Sequence, residues 1–311
     1  MYDVVIVGAG PAGLTAGVYA ARKQLNVFMV TMDIGGQTNL TADIENYMGF
    51  EYISGAELAR KFQEQVQQFP VTLRLGALAQ SLTQSDDHFL LTTSDDERVE
   101  TRTVILGTGK RSRPLGVPGE KELVGRGVSY CATCDGPLFR GLPVLVVGGG
   151  NSGVTTAIDL SRLASHVTVV EITDQWRADG VLLEQARAAG NVEWLLQHRV
   201  VEIRGDKQVQ GAVVEGPDGQ RRELAVQGVF IEIGLLPNTE WLGDFVKLNQ
   251  WGEIEVDYLC RTNVPGVFAA GDAASTPQKQ IIVAAGEGAK AALSAYEYLL
   301  RQGHALPQAS W

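Results

Sequence analysis

The pattern that constrains this chain most occurs twice. Asp3-Val4-Val5-Ile6-Val7 runs directly into Gly8-Ala9-Gly10-Pro11-Ala12-Gly13, followed by small residues at helical spacing (Ala16, Gly17, Ala20, Ala21) and an apolar run at 27–31. The pattern returns at Val144-Leu145-Val146-Val147, which leads into Gly148-Gly149-Gly150-Asn151-Ser152-Gly153, a helical stretch through Ala157, Leu160 and Leu163, and a strand ending on Glu171. Short apolar runs of this kind are strands of a parallel sheet buried on both faces. In a strand–turn–helix context the first glycine permits the tight turn, the second lets backbone approach a pyrophosphate, and the third lets helix and strand pack closely. The helix N-terminus then offers free N–H groups and a partial positive charge to the phosphates. Two such units predict two dinucleotide-binding domains.

Each unit is followed by a stretch that reads as short antiparallel strands, about 71–109 and about 192–234. The turns fall at Ser85-Asp86-Asp87, Ser94-Asp95-Asp96 and Gly216-Pro217-Asp218-Gly219. The strand at 266–271 and the helix after it, with Ile281, Ala285, Gly288, Ala292, Ala295 and Leu299 on one apolar face, return to the first domain. The expected fold is therefore α/β: two three-layer Rossmann-like domains with short antiparallel β-meanders, the second inserted in the first. The expected boundaries are 1–113 with 245–311 for the outer domain and 114–244 for the inserted one. The expected hinges are 110–116 and 236–240.

Composition narrows the function. The 311 residues include 36 Asp and Glu against 26 Lys and Arg, for a net charge of −10, which argues against nucleic acid or an anionic membrane surface as partner. There is no apolar run long enough to span a membrane and no signal-peptide pattern at the N-terminus, so the cytoplasm is the expected location. The 36 glycines against 11 prolines fit phosphate-cradling turns. Three cysteines are too few for a secreted disulfide framework.

Two of the three form Cys131-Ala132-Thr133-Cys134. Cys260 and four histidines without ligand spacing do not complete a zinc site, so no metal is expected and the pair reads as an exchangeable redox disulfide. Asp135 is placed to exchange a proton with a thiol, or is the turn residue before Gly136-Pro137. Cys260 reads as an inert packing residue. An acid at Glu171 is suited to a ribose 2′-hydroxyl and repels a 2′-phosphate, favouring NADH over NADPH. A nicotinamide delivers hydride, whereas a disulfide is reduced through thiolate chemistry. A flavin is the cofactor that joins the two.

Together with Gly35-Gly36-Gln37 and Ala269-Ala270-Gly271-Asp272, these motifs resemble the low-molecular-weight thioredoxin reductase family of flavoproteins, over nearly the whole chain. The resemblance implies FAD in the outer domain, held by Gly8, Gly10, Pro11, Ala12, Gly13, Gly35, Gly36, Gln37, Asn46, Gly109, Gly271, Asp272, Gln280 and Ile281. In it Asp272 holds the ribitol and Gln280 lies near the pyrimidine edge. It implies a nicotinamide nucleotide on Gly148, Gly150, Asn151, Ser152, Gly153 and Glu171. It implies Cys134 facing the flavin, Cys131 attacking the substrate disulfide and Asp135 as acid. It also implies a homodimer and a rotation between the domains. The chain departs from the family where NADPH-using members carry a His-Arg-Arg run with a further Arg: here stand Glu171-Ile172-Thr173, and only Arg177 remains.

Further segments are similar to the C-terminal part of the alkyl hydroperoxide reductase flavoprotein, which uses NADH: Asp135-Gly136-Pro137-Leu138-Phe139, Gly234-Leu235-Leu236-Pro237-Asn238-Thr239, Lys279-Gln280-Ile281-Ile282 and Gly286-Glu287-Gly288-Ala289-Lys290. The chain starts at the flavin motif, where that flavoprotein carries a disulfide-relay domain first. Electrons are therefore expected to leave Cys131 for a separate protein. The expected function is an FAD-dependent disulfide oxidoreductase passing two electrons to thioredoxin or a thioredoxin-like protein. The alternatives are a member reduced by ferredoxin or another carrier, and a flavin oxidase producing peroxide. Trp311 either stacks on a flavin face or on a second copy of the chain, or belongs to a frayed tail.

Overall fold

A computed structural model of the protein describes residues 1–41, 44–85 and 87–303, with Leu40 and Cys134 described by their backbone alone. Trp311, and Asp86 of the first expected turn, lie outside the described residues. The chain divides into two compact units, Met1–Arg111 with Leu236–Trp311, and Ser112–Leu235.

The outer unit begins with β1 (Tyr2–Ala9), α1 (Pro11–Arg22), β2 (Val27–Ile34), α2 (Gly55–Val66), β3 (Val71–Leu75), β4 (Ala79–Ser85), β5 (His88–Thr93), β6 (Arg98–Leu106) and β7 (Lys110–Ser112), within which the chain leaves it. The inserted unit follows: α3 (Glu120–Leu123), β8 (Val128–Ser129), α4 (Ala132–Asp135), β9 (Pro143–Val147), α5 (Asn151–Ser161), β10 (His166–Glu171), α6 (Gly180–Ala188), β11 (Val192–Leu196), β12 (Arg199–Gly205), β13 (Val209–Glu215), β14 (Arg221–Leu224) and β15 (Gly228–Ile231). The chain returns within β16 (Leu235–Pro237) and ends with β17 (Val267–Ala269) and α7 (Ile281–Arg301).

In the outer unit the parallel strands run β3-β2-β1-β6, with Val4 beside both Val27 and Thr103. Strand β6 serves two further partners besides β1. Its first half pairs antiparallel with β5, placing Phe89 beside Thr101, and its second half pairs parallel with β17, placing Val267 beside Val104. Strand β1 is buried on both sides, and its residues alternate as a pleated strand must. Val4 and Ile6 pack under α1 and α7, whereas Val5 and Val7 pack against the β4–β5 meander side. Helices α1 and α7 lie close because small residues meet there: a Cβ on Gly288 would fall 2.0 Å from the Ala12 carbonyl oxygen. Gly288, Ala292, Ala295 and Leu299 of the apolar face read from the sequence belong to this contact, whereas Ile281 packs elsewhere.

The inserted unit repeats the plan. Its parallel sheet runs β11-β10-β9-β15-β8, and β12-β13-β14 form a separate antiparallel sheet. Val146 and Phe230 face α5, while Leu145, Val147 and Val229 face the antiparallel strands. The α/β class with two Rossmann-like, meander-bearing domains is the fold observed.

The meanders are shorter than the turn pattern predicts. Segments 71–75 and 192–196 belong to the parallel sheets as β3 and β11, paired with β2 and β10. The cause is a crossover helix before each, α2 and α6, which returns the chain parallel to the preceding strand. A capping signal for α2 stands in the sequence: Ser54 is followed three places on by Glu57, whose N–H donates to Ser54 Oγ at 3.3 Å.

Candidate active site

The two glycine turns are built alike. Gly8 takes a left-handed φ of +100°, and a Cβ there would lie 2.3 Å from the Gly107 carbonyl oxygen. A Cβ on Gly13 would lie 1.8 Å from the Gly8 carbonyl oxygen. Gly10 is different, because no described atom lies within 4 Å of where its Cβ would be. The inserted unit reproduces each distance class: 2.3 Å from Gly148 to the Glu232 oxygen, 2.0 Å from Gly153 to the Gly148 oxygen, and open space at Gly150. Two glycines in each turn are thus demanded by backbone contact, and the third is demanded by no described protein atom. Helices α1 and α5 start at Gly10 and Gly150 with no side-chain cap, leaving N–H groups at both N-termini for an anion.

Two of the outer unit's expected glycines lie against the first turn, and the other expected residues are tied to one another or to their neighbours. A Cβ on Gly36 would lie 3.7 Å from the Gly10 Cα, and a Cβ on Gly271 would lie 3.0 Å from that of Ala12. The Gly271 N–H donates to buried Glu287 at 2.8 Å. Gln37 donates its amide to the Lys110 carbonyl, and Asn46 donates to Gln280, the residue before α7, at 3.1 Å. Ile281 begins α7 and packs beside Ile44, Ile53 and Leu58. Gly109 accepts from the Asn238 N–H at 3.0 Å. Asp272 is half-buried, which pushes its carboxyl up, while Lys279 and Lys110 pull it back.

Four participants lie outside the site residues that the motifs assign. Thr38 and Thr108 have the two buried hydroxyls that find no hydrogen-bond partner among the described residues, and both flank the first turn's neighbours, Gly36 and Gly107. Buried polar groups are normally satisfied, so orphans beside a glycine cradle point to a polar ligand there. Glu253 accepts from Lys110 at 2.8 Å and from Asn249 at 2.9 Å, and pairs with Lys279 at 3.1 Å. Burial raises the Glu253 carboxyl, but these partners outweigh it and hold it at about 2. The Lys279 ammonium also donates to the Asp272 and Ala274 carbonyls, at 3.2 and 2.5 Å.

Because the folded value of Glu253 lies below the unfolded one, its stabilisation is present above about pH 4.5 and is lost as pH falls toward 2. Glu253→Gln should destabilise the protein at neutral pH by about 3 kcal/mol, since two lysines lose their counter-ion in a largely buried place. Wild type and variant should converge only at and below about pH 2 in urea denaturation.

In the inserted unit the acid at the end of β10 is already engaged. Glu171 is buried and accepts from the Gly149 N–H at 2.7 Å and from the Thr173 N–H and hydroxyl at 2.8 Å. Burial pushes its carboxyl up, but these donors and the Arg177 charge bring it below its usual value. Trp176 and Glu171 both lie against Gly149. Asn151 is tied to Asp179 by two bonds of 3.0 and 2.8 Å, and Ser152 donates to Glu232.

The redox segment is in the same unit. Cys131 is half-buried and disulfide-bonded, and the side chain of Cys134 lies outside the described residues. The Cys131 N–H donates to Ser129 Oγ at 3.0 Å, and the Cys131 carbonyl accepts from the Asp135 N–H at 3.1 Å. Tyr130, one residue earlier, donates to Glu120, which is 2% exposed and also accepts from the Leu115 and Gly116 N–H groups at 2.8 and 2.5 Å. The approach to Cys131 is therefore pinned by a buried carboxylate. Cys260 is buried beside the Glu287 carbonyl, and burial pushes its thiol up to about 11, so it is not a nucleophile.

Residues 2–288 match the pyridine nucleotide-disulphide oxidoreductase family. An alkyl hydroperoxide reductase subunit of Staphylococcus aureus is 42% identical over 301 residues, which is 96% of this chain, and this chain spans 59% of that protein's length. Thioredoxin reductase of Lactococcus lactis, in a structure described as the FR conformation, superposes with a TM-score of 0.88 at 38% identity, covering 97% of this chain and 100% of that one. Thioredoxin reductase of T. acidophilum superposes with a TM-score of 0.85 at 40% identity, covering 96% and 99%. With both glycine cradles and the disulfide in place, the chain belongs to the pyridine nucleotide-disulphide oxidoreductase family and is a thioredoxin reductase-like enzyme within it.

Proposed function

We propose that the protein is an FAD-dependent disulfide oxidoreductase that takes two electrons from NADH and delivers them to the disulfide of a thioredoxin-like protein. The observation that carries this reading is an oxidised Cys131 in a chain that builds the same pyrophosphate cradle twice. The outer unit is the FAD domain and the inserted unit the NADH domain. The open space at Gly10, the orphaned Thr38 and Thr108 hydroxyls and the crowded glycines around them fit a phosphate- and hydroxyl-rich cofactor.

FAD supplies the exchange between hydride transfer and thiolate chemistry. The N–H groups opening α1 would hold its pyrophosphate, Asp272 would accept from ribitol hydroxyls, and Gln280 at the start of α7 would serve the pyrimidine edge, where a helix N-terminus favours negative charge. Once its disulfide is reduced, Cys131 attacks the acceptor disulfide as thiolate, forming a mixed disulfide and expelling one acceptor thiolate. Cys134 then attacks Cys131 Sγ, re-forming the internal disulfide and releasing the second acceptor thiol. Asp135 gives a proton to the departing sulfur. The balance is one NADH, one proton and one acceptor disulfide to NAD⁺ and two thiols.

Glu171 supports NADH as donor. Its carboxylate is held ionised where a 2′-phosphate would come, and Ile172 and Thr173 stand where arginines would receive that phosphate. Anaerobic mixing with each nucleotide tests this. Flavin absorbance should bleach at least about 100-fold faster with NADH than with NADPH, since like charges set side by side cost several kcal/mol. Bleaching by neither nucleotide would overturn the reading in favour of a protein donor.

A further inference from the structure

Two side chains at the second glycine turn have no counterpart at the first, and they are bonded to each other. The turns correspond: the Gly107 N–H donates to Val7 and the Glu232 N–H to Val147, both at 2.8 Å, and a Cβ on Gly8 or Gly148 would lie the same 2.3 Å from the Gly107 or Glu232 carbonyl oxygen. Glu232 therefore stands where the outer unit has Gly107. Ser152, second residue of α5, stands where the outer unit has Ala12, second residue of α1. The outer turn thus lacks both members of the pair.

Glu232 follows β15 and turns its carboxyl under α5, where Ser152 donates to one oxygen and Thr156 to the other at 3.2 Å. Burial pushes this carboxyl up and the two hydroxyls pull it back less. The other charged groups around the turn are committed elsewhere: Glu171 to Gly149 and Thr173, Asp179 to Asn151, and Arg177 acts on Glu171. None of them contributes to the Glu232 shift. Strand β15 is the neighbour of β9 on the side away from β10, so Glu232 lies at the reversal of strand order, where open α/β sheets bind ligands.

We propose that Glu232 and Ser152 form a proton-linked gate on the nucleotide site of the inserted unit. The inference rests on reading that unit as the NADH domain. A serine hydroxyl has one hydrogen to donate. While Glu232 is ionised, that hydrogen is spent on its carboxylate, and a negative charge stands one residue from the α5 N-terminus. When Glu232 takes a proton from solvent, its O–H donates to Ser152 Oγ, and the serine hydrogen is released to a pyrophosphate oxygen. Nucleotide binding then takes up as much as one proton per site, and linkage makes affinity fall as pH rises.

The test is calorimetric titration of the flavin-loaded protein with NAD⁺, which does not reduce oxidised flavin, between about pH 5 and about pH 8 in buffers of different ionisation heat. Wild-type Kd should rise toward about tenfold per pH unit above the folded pKa of Glu232, with matching proton uptake. Glu232→Gln, whose amide donates to Ser152 as the protonated acid does, should bind at every pH as tightly as wild type at the acid end. Ser152→Ala should lose the tight acid-side binding. Equal pH slopes in wild type and Glu232→Gln, or weaker binding by that variant at about pH 8, would overturn the gate and leave NADH as donor standing. Absence of NAD⁺ and NADH binding by both proteins at every pH would overturn the gate together with the donor assignment.

Discussion

Cys131→Ser should reduce turnover of a thioredoxin-like disulfide by at least about a thousandfold, the scale on which loss of a nucleophile acts. A serine hydroxyl cannot form the mixed disulfide, and Cys260 cannot replace it, because that thiol is buried and pushed up to about 11. Flavin content should stay at wild-type levels, since the proposed FAD cradle is built from outer-unit residues and Cys131 belongs to the inserted unit. Cys134→Ser should instead stall with the acceptor trapped on Cys131, visible as a mass shift that dithiothreitol reverses. Acceptor reduction that survives in Cys131→Ser would remove the disulfide from the electron path. Sustained oxygen consumption in its place would make the protein an oxidase.

The second large effect separates two glycines three residues apart. Gly13→Ala places a methyl 1.8 Å from the Gly8 carbonyl oxygen, a backbone atom that cannot step aside without moving α1 off β1. The cost should be about 3 kcal/mol or more, read as a lowered thermal midpoint of the flavin-free protein together with loss of FAD. Gly10→Ala meets no described protein atom within 4 Å, and Gly10 already has an extended backbone that alanine adopts. Its flavin-free midpoint should match wild type while FAD retention falls sharply, because the methyl projects where the pyrophosphate would lie. Equal FAD binding by wild type and Gly10→Ala would take the pyrophosphate off this turn.

The difference between those glycines marks how far the sequence is legible. The motif spacing identifies the turn but does not say which glycine serves the fold and which serves the ligand. That depends on Gly107, brought in by β6, and on Gly36, brought in after β2. The same limit explains why the polar groups around the cradles are silent in the sequence. Glu253 meets Lys110 across 143 positions, and Ser152 meets Glu232 across 80, so no local pattern links them. Crossover helices α2 and α6 are hard to read for another reason. Both are only partly buried: α2, as long as α1, covers Gly55, Leu58, Ala59 and Val66, and α6 covers Ala186, so neither shows the runs of small apolar residues that mark α1 and α7.

Short-range geometry was readable from the sequence: buried parallel strands from unbroken apolar runs, strand–turn–helix cradles from glycine spacing, the proposed redox pair from Cys131-Ala132-Thr133-Cys134, and the duplication that makes two domains of one plan. The tertiary structure alone decided which polar groups each cradle presents. Glu171 is turned inward onto Gly149 and Thr173, the Thr38 and Thr108 hydroxyls meet no hydrogen-bond partner among the described residues, and a carboxyl that follows β15 lies under the helix that starts at the second turn. The physical reason is that apolar periodicity acts between residues a few places apart, whereas a buried hydrogen bond requires both partners to be placed, and only the packed sheets place them.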